Sequence, residues 1–283
     1  MSAASSPAAS PSRFPVAISA VVKGLLIGLI AANVWPMLMI SLGMPAAAIA
    51  EAAFLALYLW WTSGGGPPSS TKVARAAAFR RTSLTQAQWA WGLVAAVFFA
   101  TTIHAALVVL FRIVPFPIDA FRQDYRGFSV ASPVFQWVAI VTAAASAGIC
   151  EETGFRGYMQ QPIEKRHGVV AAVFVSSVLF TLSHLTKSWA LPGMVPIVLA
   201  AGLLLGLIAW ASGSLVPGII GHTIMDIGMF GYWWTGVAGT FSAKTIAVTG
   251  IDQPFEIALA IAGGGLLLTL IAIVRLRRLR ASV

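Results

Sequence analysis

The sequence predicts an all-α polytopic membrane protein, a transmembrane helix bundle of about eight spans with both termini cytoplasmic. Three observations predict it. Hydrophobic residues make up 58% of the 283-residue chain and charged residues only 10%, far below the roughly 25% charged of an ordinary globular domain. The apolar residues fall in runs of roughly twenty, the length a helix needs to cross a hydrocarbon core of about 30 Å. The basic residues, which set a net charge of +9, sit in short clusters between those runs. They read as loop-orientation determinants and lipid-headgroup contacts rather than as a nucleic-acid surface. With one cysteine, Cys150, no intrachain disulfide is available.

Residues 1–15, rich in Ser, Ala and Pro, are expected to be a disordered N-terminal tail, and the run after them reads as a spanning anchor rather than a cleaved signal. The first span runs from Val16 to Leu42, with Lys23 snorkelling at its entry and Gly24 and Gly28 forming a close-packing face. The second, Pro45 to Trp61, carries Glu51 and ends in an interfacial tryptophan pair. Gly64 to Pro68 cannot continue a helix, and the loop holds Lys72, Arg75, Arg80 and Arg81. The third, Trp89 to Val114, contains His104 and is stopped by Pro115 and Pro117; the loop of Asp119, Arg122, Asp124 and Arg126 has little net charge. The fourth runs from Val134 to about Gln161, the fifth from Val169 to about Leu185, and the sixth from Val195 to Ser212. The seventh begins near Val216 and ends in an aromatic belt of Tyr232, Trp233 and Trp234. The eighth, about Phe255 to Val274, precedes Arg275, Arg277, Arg278 and Arg280. Sorted over alternate loops, most of the positive residues collect on the side of the termini, with only Arg112, Arg122, Arg126, Lys187 and Lys244 opposite. There is no long internal repeat, separate soluble domain or phosphate-binding glycine motif.

Ionisable residues inside such spans carry a desolvation cost that calls for a reason. They are Glu51, His104, Glu151, Glu152, Arg156, His184, His222 and Asp226. Glu152 and Arg156, four apart, share a helix face and partly neutralise one another, while Glu151, about 100° round, faces elsewhere. Phe180 lies one turn before His184, and His222 one turn before Asp226. A carboxylate desolvated among apolar helices is suited to take a proton from water. Imidazoles nearby can bind a metal or donate to a developing oxyanion. His184, His222 and one carboxylate also make a three-ligand zinc site with an open position for water. Each residue has a plainer reading beside this one. Glu152 with Arg156 can be a structural ion pair, and His222 with Asp226 a same-helix hydrogen bond. His104 and His184 can be packing residues, Glu51 can sit near an interface without a chemical role, and Cys150 can be a small apolar packing residue.

Taken together, Glu151-Glu152-x-x-x-Arg156, Phe180-x-x-x-His184 and His222-x-x-x-Asp226, in that order on separate apolar segments, resemble the signature of the CAAX protease and bacteriocin-processing (CPBP) family. This family of intramembrane endopeptidases includes the Ras-converting enzyme and the bacterial abortive-infection proteins. The resemblance covers about Glu151 to Asp226. It implies a glutamate-dependent peptidase in which Glu151 activates water, His184 and His222 orient it or stabilise the oxyanion, and Arg156 holds Glu152. Asp226 stands where the best-known eukaryotic members carry Asn. Since ionised Asp donates no hydrogen bond, this favours a metal-ligand or histidine-orienting role. Family members are commonly labelled metalloproteases, so a divalent metal such as zinc on His184, His222 and Asp226 is admitted.

The expectation is thus one transmembrane domain over residues 16–283, its catalytic core at 134–236, in the bacterial cytoplasmic membrane. It would hydrolyse a peptide bond in a membrane-associated, lipidated or hydrophobic protein or peptide, with membrane lipids as surroundings and no nucleic-acid partner. A proton-coupled transporter using the same groups as a relay is the alternative from another class, and a non-catalytic scaffold of the same fold is a third. One detail does not fit: with the fourth span ending at Gln161, Glu151 and His184 come out at different depths. A tilted or broken helix is expected there.

Overall fold

The computed structural model describes residues 14–115, 132–185, 193–234 and 244–281. The tail expectation for residues 1–13, the loop of Asp119 to Arg126, Lys187 and the side chains of Trp233 and Trp234 lie outside what is described. Every regular element among the described residues is helical. Helix α1 (Phe14–Leu25) passes through a π-helical turn (Leu26–Ile30) towards α2 (Val34–Leu42). Then come α3 (Ala46–Thr62), the short α4 (Lys72–Ala78) and α5 (Gln86–Ile113). Helix α6 (Pro133–Glu151) continues without a break through a π-helical segment (Glu152–Met159) into α7 (Gln160–His167). After it come α8 (Val169–His184), α9 (Met194–Ser212) and α10 (Val216–Gly228), the last extended by a π-helical turn (Met229–Trp234). The short α11 (Ile246–Thr249) and the long α12 (Gln253–Ala281) complete the chain.

Among the described residues five helices are long and apolar enough to cross a membrane: Val16–Leu42, Gln86–Ile113, Pro133–His167, Met194–Ser212 and Gln253–Ala281. Ala46–Thr62 and Val169–His184 are shorter apolar helices. Local chemistry sets their ends. The Thr85 hydroxyl accepts from Gln88 N–H and the Thr85 N–H donates to the Gln88 side chain, a capping box that starts α5. Ser132 caps α6 with Pro133 behind it. Gly168, at φ +86°, makes the turn between α7 and α8, a conformation β-carbons resist. Two boundaries differ from expectation. The fourth helix runs on to His167 and the eighth to Ala281, because Lys165, Arg166 and the terminal arginines stay helical; long basic side chains are good helix formers and suit a helix C-terminus.

Contacts between helices fix their relative directions. Helix α1 runs antiparallel to the α6–α7 run, with Gly24 beside Met159 and Gly28 beside Gly154. A Cβ on Gly154 would stand 2.4 Å from the Gly28 Cα, so only glycine permits this approach. Helix α3 runs parallel to α6–α7: the Tyr58 hydroxyl donates to the Cys150 carbonyl at 3.4 Å and the Tyr158 hydroxyl to the Thr62 carbonyl at 2.8 Å. Helix α10 is antiparallel to α6, with Thr223 against Gly148 and Gly218 against Glu152. It is parallel to α5, where Pro217 meets Gly92 and Gly221 meets Ala96. Helices α8 and α9 are antiparallel, as are α5 and α12. Arg80 bound to Glu164, and Arg280 bound to the Trp210 carbonyl, gather at one end of this arrangement. The larger apolar core joins α5, α9, α10 and α12 through Phe99, Leu107, Phe111, Leu205, Ile208 and Leu276. A second core joins α1, the π-helical segment, α7 and α8.

Candidate active site

The site is built where the α6–α7 run widens. A π-helical turn bonds i to i+5, and such segments recur at functional sites. Here all eight residues from Glu152 to Met159 are buried. Donors from other elements hold the widened turn: the Ser176 hydroxyl donates to the Phe155 carbonyl and Arg80 Nε to the Arg156 carbonyl, each at 3.0 Å. Glu151 lies seventeen residues before Gly168 and His184 sixteen after it. The α7–α8 hairpin therefore brings them to one depth, with the α6–α7 run continuous.

All seven residues singled out in the sequence meet here. Glu152 Oε1 accepts from Arg156 Nη1 and lies against His222 Nδ1, both at 2.9 Å, and the Glu152 and Arg156 side chains are fully buried. Arg156 Nη2 also donates to the Gly202 carbonyl at 3.3 Å. The ion pair expected between Glu152 and Arg156 is thus present, but the same carboxylate oxygen reaches His222, seventy residues away. The Phe180 ring spaces the groups: Arg156 Cζ lies 4.3 Å above it, the His184 ring packs at 4.5 Å, and the His222 ring meets it edge-on at 6.0 Å.

The two imidazoles are oriented alike. His184 Nδ1 lies 2.8 Å from the Phe180 carbonyl, which only accepts, so that nitrogen carries the hydrogen. His222 Nδ1 faces Glu152 in the same way. Both Nε2 atoms therefore turn to Glu151 Oε2, at 4.0 Å from His184 and 3.9 Å from His222. Asp226 Oδ2 stands 3.7 Å from His222 Nε2. Glu151 Oε2 is buried and accepts no hydrogen bond among the described residues. At these separations a water among the three groups can donate to the carboxylate oxygen and accept from a protonated imidazole.

Of the three residues considered for a metal, His222 Nε2 and Asp226 Oδ2 stand 3.7 Å apart, beside donor–donor edges of about 3.4 Å in a tetrahedral zinc site with ligands about 2.1 Å from the ion. Among the described residues no three His, Cys, Asp or Glu side chains are placed to hold an ion.

The remaining polar residues of the spans lie apart. The His104 ring packs edge-on against Tyr232 at 5.4 Å, and a Cβ on Gly228 would stand 3.7 Å from its Nδ1. Glu51 is fully buried on α3, within reach of the Ser146 hydroxyl. Cys150 is buried in an apolar cluster with Ala31 and Leu55. The Gly202 carbonyl and Gly218, which touch Arg156 and Glu152, carried no sequence signal beyond small size.

Residues 133–228 match the family model described as type II CAAX prenyl endopeptidase Rce1-like. No curated protein and no solved structure matches the chain. The matched stretch begins at the first residue of α6, ends at the last of α10, and encloses all seven residues of the cluster. The chain therefore carries an Rce1-like domain of the CPBP family of membrane peptidases.

Proposed function

We propose that this protein is an intramembrane endopeptidase in which Glu151 is the general base and His184 and His222 hold the water. The observation that carries the reading is Glu151 Oε2, set between two Nε2 atoms and unbonded among the described residues. Water bound among the three gives a proton to Glu151 as its oxygen attacks the scissile carbonyl. The protonated imidazole donates its Nε2–H to the developing oxyanion. As the C–N bond breaks, Glu151 returns the proton to the leaving amine, so every proton is accounted for. Glu152, fixed by Arg156, keeps His222 in the orientation that presents Nε2. Asp226 Oδ2 stands beside the same nitrogen.

The alternating directions of α1, α3, α5, α6–α7, α8, α9, α10 and α12 support eight passes, and the basic end supports both termini on the cytoplasmic side. The domain then spans residues 16–283, with its catalytic core at 134–236, in a bacterial cytoplasmic membrane. The substrate class that follows is a membrane-associated protein or peptide, lipidated or hydrophobic near the cleaved bond. In proteoliposomes with a prenylated peptide, Glu151→Gln is expected to lower cleavage by at least about 10²-fold with an unchanged unfolding temperature. Cleavage at the normal rate would remove Glu151 from the role of base.

A further inference from the structure

Glu152, Arg156, Gln160 and Glu164 follow one another at intervals of four, from the candidate site to the basic end. The first three are fully buried. Glu164 lies nearer the surface, 2.6 Å from Arg80. Each of the buried three spends polar atoms on a neighbour: Glu152 Oε1 on Arg156 and His222, Arg156 Nη2 on the Gly202 carbonyl, and Gln160 Nε2 on the Gly206 carbonyl at 2.9 Å. Each also keeps a buried polar atom with no hydrogen-bond partner among the described residues, namely Glu152 Oε2, Arg156 Nε and Gln160 Oε1. Glu151 Oε2 makes a fourth at the head of the row.

Leaving a buried polar atom unbonded is costly, and more so for a charged group. Three such atoms along one stripe, with a fourth on the adjoining face at its head, therefore point to a ligand. The order acceptor, donor, acceptor suits a molecule that both donates and accepts, which is water. The facing wall is cut back to glycine at two points. A Cβ on Gly218 would stand 3.1 Å from Glu152 Oε2 and 3.8 Å from Leu205 Cδ2, and one on Gly206 would stand 2.9 Å from Gln160 Oε1.

We propose that this stripe binds a file of ordered waters and delivers the hydrolytic water from the basic end to Glu151. The proposal rests on the peptidase reading, since hydrolysis consumes one water per bond cleaved and the hydrocarbon around the bundle supplies none. Radiolytic hydroxyl labelling in lipid nanodiscs and ¹⁸O water tests it without any substrate, so a failure of the peptidase reading would appear separately, in the cleavage assay. Leu205 is fully buried beside the stripe and Leu107 nearly as buried in apolar packing. Leu205 is expected to be labelled several-fold faster than Leu107, and Gly218→Ala and Gln160→Leu are each expected to slow it towards the Leu107 rate. Equal labelling of the two leucines in the unaltered protein overturns the proposal. So does labelling of Leu205 that ignores both substitutions, which is what a purely structural Gln160 would give.

Discussion

The α5–α12 contact and the α6–α8–α10 centre are equally buried but satisfy their polar groups in opposite ways. Between α5 and α12 the few hydroxyls close on their own helix: Thr102 donates to the Phe98 carbonyl at 2.6 Å and Thr269 to the Gly265 carbonyl at 2.8 Å. Apolar packing of Phe99, Phe111 and Leu276 supplies the contact between the helices. In the centre the polar bonds cross from one helix to another, Glu152 to His222, Arg156 to Gly202, Ser176 to Phe155. A change between α5 and α12 should therefore alter stability alone. A change in the centre should alter stability and chemistry together, because the same bonds position the reacting groups.

Glu152→Ala is the strongest way to sharpen that contrast. It leaves the Arg156 guanidinium buried beside no carboxylate and takes the acceptor from His222 Nδ1. Removing one partner of a buried pair costs roughly 3–5 kcal/mol, so a large drop in unfolding temperature is expected, together with a fall in kcat of the protein that stays folded. Glu152→Gln keeps an acceptor oxygen and should lose less of both. A variant that unfolds early yet turns over normally would show that His222 is held by something other than Glu152.

Gly265→Ala probes the other region with a smaller effect. A Cβ there would stand 2.7 Å from Thr102 Oγ1, so α12 must shift, at a cost of roughly 1–3 kcal/mol. Unfolding temperature should fall while the cleavage rate per folded molecule stays constant. Slower turnover in folded protein would mean the two regions are coupled, and the contrast would fail.

The same contrast explains what could be read in advance. Apolar length and Gly or Pro punctuation located the helical segments because each is a local property of the chain. The three motifs likewise announced which side chains would meet. The bond from Glu152 to His222 was not legible: the i, i+4 spacing offered Arg156 as a complete partner, and nothing local marks a contact seventy residues away. The π-helical segment escaped because over eight residues its wider period cannot be told from that of an α-helix. Ending the fourth span near Gln161, short of His167, also creates the false difference in depth between Glu151 and His184.

The smallest effect belongs to a polar joint of the α5 and α12 region that crosses between elements. Arg112 Nη2 lies 2.8 Å from Asp252 Oδ2 and 2.9 Å from the Thr249 hydroxyl, while its Nε donates to the Lys244 carbonyl at 2.7 Å. The hydrogen bond from Arg112 holds the Asp252 carboxyl below its usual range. Because the folded value is the lower one, the pair contributes stability above the ordinary carboxylate range, and that contribution disappears as pH falls through the folded value. Unfolding temperatures of the unaltered protein and of Asp252→Asn should therefore differ slightly at pH 7 and converge in acid. Site solvation keeps the difference small, and the Lys244 and Thr249 contacts keep Arg112 in place at every pH. A difference that persists after Asp252 is protonated would show that shape rather than charge holds this joint, which would bring it into line with the apolar packing around it.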